Sequence, residues 1–257
     1  MKKVILSLLF LFCFISNQPI SISDREFIIL YFCDMNGNYE FDIDGRKGLA
    51  TISEVKKQEL RKVSDHRGEV FLISGGNFSG KGENLKAHFS LLNKVGFDAV
   101  FIGEDELNYL ELNPTLKNLK LPLIVNRENS FQASQEKKIT QEGIQFRISN
   151  TLTNVEDINI DVQLLFHVSG ASYDYLKSID LVKPVYFFLN ESEISSFKFK
   201  KNIYTVQCPG PEKLGKLSLY FRKKTLIRQK QEFIPLNTME TNTDWILPDR
   251  EIVNELK

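Results

Sequence analysis

Three apolar runs, Phe27 to Cys33, Val70 to Ser74 and Ala99 to Ile102, each break off into a polar loop, and the stretches between them carry helical apolar stripes. A run without polar alternation must bury both faces, which is the position of an inner strand in a parallel sheet. Between the first two runs, Ala50 to Val63 sets Ile52, Val55, Leu60 and Val63 among Lys and Glu, which predicts an amphipathic surface helix. Between the second and third, Asn84 to Val95 aligns Leu85, Phe89, Leu92 and Val95, with Gly96 as a C-cap. Strand, helix, strand, helix, strand is the βαβ signature. Further strands are predicted at Leu121 to Val125, Gly143 to Ser149, Val162 to Val168, Val185 to Leu189, Ile203 to Gln207 and Leu217 to Arg222. The tail after Phe233 is polar and weakly patterned, and reads as loop or peripheral structure.

The N-terminus reads as a targeting segment. Lys2 and Lys3 precede an apolar stretch from Val4 to Ile15, broken only by Ser7. That stretch is short for a bilayer span and has the length of a signal-peptide core. Cleavage before Asp24 would remove residues 1–23 and leave 24–257 as one domain with no transmembrane span. An uncleaved anchor, or a lipid on Cys13, are the other readings. Export to the periplasm or cell envelope of a bacterium is the expectation. Cys33 and Cys208 would then remain in an oxidising compartment, where they could pair or stay as two small buried hydrophobes. Lys and Arg number 33, as do Asp and Glu, so no basic footprint points to nucleic acid.

In an open parallel sheet, ligands gather outside the carboxyl ends of the strands. Those ends here carry Asp34-Met35-Asn36-Gly37, Gly75-Gly76-Asn77-Phe78-Ser79-Gly80 and Gly103-Glu104-Asp105-Glu106, the last reached through Gly96-Phe97-Asp98-Ala99-Val100-Phe101-Ile102. Later segments are Asp161-Val162-Gln163-Leu164-Leu165-Phe166-His167, Val206-Gln207-Cys208-Pro209-Gly210 and Leu214-Gly215-Lys216-Leu217. In order and wording these segments resemble the catalytic domain of the periplasmic 5′-nucleotidase/UDP-sugar hydrolase family, within the calcineurin-like metallophosphoesterases. The resemblance covers about residues 27 to 222. It implies an α/β fold, a layered sandwich of mixed β-sheets flanked by helices, and it implies a two-metal phosphoesterase site. The chain offers no counterpart of that family's separate nucleotide-binding domain.

The departures from that pattern are chemical. Asp34 keeps the first carboxylate, and His167 keeps one imidazole. Asn36 stands at a histidine ligand position, and an amide is a poor donor to transition metals. Gly76 stands where the resemblance places the aspartate that bridges both ions. Glu104 replaces a ligand asparagine. Asp105 occupies the position of the catalytic histidine, where a carboxylate repels phosphate. Glu191 and Glu193 fall where a late His-x-His is expected.

Three functions are compatible with this set. The first is a degenerate binding or scaffold protein with a ligand or envelope protein as partner. It would hold no cofactor or a single divalent metal ion. The second is an active phosphoesterase with a carboxylate-rich metal site rebuilt from Asp34, Glu104, Asp105, His167, Glu191 and Glu193. The third is a thiol redox protein using Cys33 and Cys208. Two bound cations without a bridging carboxylate would repel one another, which favours the first.

Overall fold

The computed structural model describes residues 24–33, 48–64, 67–76, 85–125, 133–166, 175, 178–189, 201–210, 213–236 and 246–255. In chain order these form β1 (Arg25–Phe32), α1 (Leu49–Ser64), β2 (Glu69–Ser74), α2 (Leu85–Val95), β3 (Ala99–Phe101), α3 (Glu104–Leu112), a 3-10 turn (Pro114–Asn118) and β4 (Leu123–Ile124). There follow β5 (Glu136–Gln141), β6 (Ile144–Ser149), β7 (Val162–Phe166), β8 (Val185–Leu189), β9 (Ile203–Gln207), β10 (Lys213–Arg222), β11 (Thr225–Pro235) and α4 (Arg250–Glu255).

The strands make two mixed sheets. One has the order β11-β10-β1-β2-β3-β4, the other β5-β6-β7-β8-β9. In the first, β1 to β4 run parallel, and β10 and β11 close one side antiparallel. In the second, β6 to β9 run parallel and β5 pairs antiparallel.

Residue alternation along β1 assigns its side chains to two cores. Ile28, Leu30 and Phe32 pack into the helix layer of α1, α2 and α3. Phe27, Ile29, Tyr31 and Cys33 pack against Phe146, Leu164, Phe166, Tyr186 and Phe188 of the second sheet. A strand buried on both faces must be apolar at every position, which is why the sequence shows a run and not an alternation. The outer face of the second sheet carries a smaller core of Val155, Leu165, Leu181, Val185, Phe187, Leu189 and Ile203.

Three expectations need correction. The buried stripe of α1 runs through Ile52, Val55, Glu59 and Val63, while Leu60 is 40% exposed. Steps of three and four residues from Val55 reach Glu59 and pass over Leu60, so periodicity overrides polarity at this position. Second, β11 was not predicted, because its edge position leaves it half-exposed and charged, as edge strands are. It returns from β10 through Lys223-Lys224 with Lys223 at φ 57°, without the Asn or Gly that announces such a turn. Third, the tail forms α4, which docks on α1. Ser53 donates to Asp249 at 2.6 Å, Lys57 pairs with it at 2.7 Å, and Ile252 joins the helix-layer core.

Buried Glu59 is held by Lys216 at 2.6 Å and Lys62 at 2.6 Å. Burial alone would raise its carboxyl pKa, but the two hydrogen-bonded ammonium groups outweigh this and hold it below the ordinary value. Asp249, between Lys57 and Ser53, is lowered against the same opposing burial. A carboxyl with a lowered folded pKa contributes stability above its unfolded value, and the contribution is lost as pH falls through the folded value. These two groups therefore leave the melting temperature flat from about pH 7 to 5 and lower it below about pH 4. Glu59→Gln is expected to cost about 1–3 kcal/mol at pH 7 and to flatten the acid limb in melting curves taken from pH 7 to 3. An unchanged acid limb would place the titrating groups elsewhere.

Candidate functional site

The carboxyl ends of β1, β2, β3, β7, β8 and β9 come to one end of the sandwich, and aromatic side chains beneath that rim join the two sheets. Tyr31 of β1 meets Phe188 of β8 edge-on at 4.7 Å, Phe188 stacks on Phe166 of β7 at 4.0 Å, and Phe166 meets Phe101 of β3 at 5.1 Å. All four lie within the apolar layer between the sheets. These are the inward-facing residues at or next to the last position of each strand, so alternation and strand length together place a dry floor there. The sequence reading did not single them out, because a Phe inside an apolar run carries no local sign of its neighbours across the sandwich.

Above this floor, Gly75 and Gly76 follow β2. The Gly75 N–H donates to the Phe32 carbonyl at 2.8 Å, and a Cβ on Gly75 would lie 2.1 Å from the Cys33 carbonyl oxygen. Gly76 has φ 103°, a left-handed conformation, and a Cβ there would lie 2.8 Å from the Phe101 carbonyl oxygen. Backbone approach at Gly75 and backbone conformation at Gly76 both require glycine. Glycine offers no side chain here, and one added would meet both a left-handed backbone and the Phe101 carbonyl. Among the described residues no three His, Cys, Asp or Glu side chains are grouped to hold an ion.

Glu104 and Asp105 are exposed in the first turn of α3. Acidic side chains there complement the helix dipole. Glu106, unlike them, is buried, and its carboxylate accepts the Gly103 N–H at 2.8 Å, capping the helix. The expectation of a polar loop at 103–106 is thus replaced by a helix start, which a Glu three residues after Gly103 signals. Asp34, Asn36, His167, Glu191 and Glu193 lie outside the described residues. Gly76 and Glu104 both follow adjacent parallel strands at the same edge of the first sheet.

Cys33 and Cys208 are joined by a disulfide, with Cα atoms 5.6 Å apart across 175 residues of sequence. Of the two readings open from sequence, paired or unpaired, the structure takes the first. Cys33 follows the central strand β1 and Cys208 follows β9, the last strand of the other sheet, so the bond ties the two sheets at the rim. Beside it, Tyr31 donates its hydroxyl to the Gln207 carbonyl at 2.8 Å, and the Gln231 amide donates to the same carbonyl at 2.8 Å. Burial pushes the Tyr31 hydroxyl pKa well up, against the Gln231 hydrogen bond, so it stays a proton donor.

No protein-family model matches the sequence. No curated protein matches it significantly by sequence either. Among solved structures, the chain is similar to the sulfate thiohydrolase SoxB of Thermus thermophilus, with a TM-score of 0.62 and 8% identity over 94% of this chain and 61% of that one. It is similar to a 5′-nucleotidase from Candida albicans SC5314, with a TM-score of 0.61 and 13% identity over 94% of this chain and 59% of that one. It is also similar to the calcineurin-like phosphoesterase YfkN from Bacillus subtilis, with a TM-score of 0.58 and 13% identity over 91% of this chain and 96% of that one. The chain therefore spans about three fifths of the length of the first two. These likenesses establish the fold: a layered α/β sandwich of the calcineurin-like phosphoesterase type, as the motif order implied.

Proposed function

We propose that this is an exported protein of the bacterial cell envelope that keeps the metallophosphoesterase fold without two-metal catalysis, and binds a ligand or an envelope protein. The observation that carries the reading is Gly76, which offers no side chain and no room for one at the position of the bridging carboxylate. Asn36 and Asp105 support it from the sequence, since each replaces a histidine of the resembled pattern with a group ill suited to that histidine's work. In this reading the protein holds no cofactor, or one divalent ion among Asp34, His167 and the late glutamates. Residues 1–23 act as a signal peptide, and 24–257 form the single mature domain. No helix among the described residues is long and apolar enough to cross a membrane.

The test is catalytic. With Mn²⁺, Co²⁺, Zn²⁺ or Mg²⁺ added, hydrolysis of AMP and UDP-glucose is expected to stay at the metal-free blank, and metal analysis is expected to find at most one ion per chain. Turnover that disappears in Asp34→Ala would establish the rebuilt phosphoesterase site instead.

A further inference from the structure

The hold of β9 on the first sheet is concentrated at one end. Along its length β9 is hydrogen-bonded to β8, and its other side has no strand partner among the described residues. Three ties cross to the first sheet near its carboxyl end: the Cys33–Cys208 bond, the Tyr31 hydroxyl on Gln207, and the paired amide of Gln231 on Gln207. Next to these ties the seam is incompletely filled. A cavity of about 220 Å³ lies between Tyr204, Thr205 and Val206 of β9 and Leu217, Gln229 and Gln231 of β10 and β11. One wall of the cavity is thus a strand whose position the disulfide fixes.

The two cysteines differ in access. Cys33 is 6% exposed, and its backbone is pressed against Gly75. Cys208 is half-buried, two residues before exposed Gly210. Cys208 is the more exposed of the two residues, which favours attack at its sulfur with Cys33 as the leaving group.

We propose that the Cys33–Cys208 disulfide is a redox-sensitive clasp on the β9 seam, opened at Cys208 by a dithiol reductant. The thiolate of the reductant bonds to the Cys208 sulfur, the Cys33–Cys208 bond breaks, and its electron pair leaves on Cys33, which takes up a proton. The second thiol of the reductant then attacks the mixed disulfide and releases the Cys208 thiol. The net exchange is one dithiol oxidised to its disulfide and one protein disulfide reduced to two thiols, a two-electron transfer. With the clasp open, β9 keeps its ladder to β8 and loses its covalent tie to β1, so the seam loosens at the rim while the rest of the sandwich stays closed. This does not depend on whether the rim hydrolyses phosphate esters.

The experiment uses the purified full chain and dithiothreitol without denaturant. Reduction is expected to go to completion under native conditions, yielding two alkylatable thiols. Amide exchange should then rise at least tenfold at Gln207, whose N–H donates to the Gln231 side chain, and stay unchanged in β5 and β6. Two single variants separate a clasp from an inert crosslink. Cys33→Ala leaves Cys208, which should form a mixed disulfide with oxidised glutathione at least tenfold faster than Cys33 does in Cys208→Ala. Reduction only in denaturant, equal reactivity of the two cysteines, or unchanged exchange at β9 after reduction would each overturn the proposal. Because the exchange readout is made on the unmutated chain, it stands even if a variant folds poorly.

Discussion

Gly76→Asp is expected to destabilise the protein by about 2–6 kcal/mol and to restore no phosphoesterase activity. The left-handed backbone at φ 103° costs a residue with a Cβ roughly 1–3 kcal/mol. The overlap with the Phe101 carbonyl adds a similar amount, because that carbonyl belongs to β3, which is hydrogen-bonded between β2 and β4 and cannot withdraw. For a chain of this size the melting temperature should fall by about 4–24 °C. Gly210→Ala is the control, since a Cβ there meets nothing within 4 Å, and its effect should stay within about 0.5 kcal/mol. Thermal and urea unfolding measure both variants, and an AMP assay with added Mn²⁺ measures recovery of activity. A Gly76→Asp protein as stable as its parent, with metal-dependent turnover, would show that the rim accommodates a bridging carboxylate and would remove the main support for a non-catalytic role.

Replacing both Cys33 and Cys208 with alanine should cost about 3–5 kcal/mol. A crosslink between residues 175 apart removes much of the freedom of the unfolded chain, and the loss grows with the logarithm of the loop. The expected fall in melting temperature is about 6–20 °C. Scanning calorimetry of the parent protein with and without reductant should show a loss of the same size. The double variant should be indifferent to reductant. Equal melting temperatures of parent and double variant would mean that the bond contributes nothing to stability.

The chain's alternation of apolar runs and amphipathic stretches determined the parallel strands and their helices. At β1, a run apolar at every position has one physical solution, burial on both faces, and the sequence states it without help. The order of the glycine loops after those strands carried the fold type, because each loop sits where a strand end needs it. The identity of residue 76 was equally legible: a glycine supplies no side-chain ligand in any conformation.

Other features were settled only by packing between residues far apart. Glu59 reads as a surface residue until Lys216, 157 positions away, is brought beside it. Thr225–Pro235 carries no strand pattern until it pairs with β10, because an edge strand satisfies the ladder with backbone groups that leave no mark on side-chain composition. Glu104 and Asp105 read as candidate ligands at a strand end, and that they stand in the first turn of α3 shows only in the structure. The two cysteines named themselves, yet whether they bond depends on which face of each strand end points inward and how far apart the sheets lie, and only the tertiary structure fixes both. The same holds for the space at Gly76, since the Phe101 carbonyl that closes it comes from a neighbouring strand. What the sequence determined was local periodicity and residue chemistry, and what the tertiary structure decided was every contact between residues distant along the chain, because only folding sets their separation.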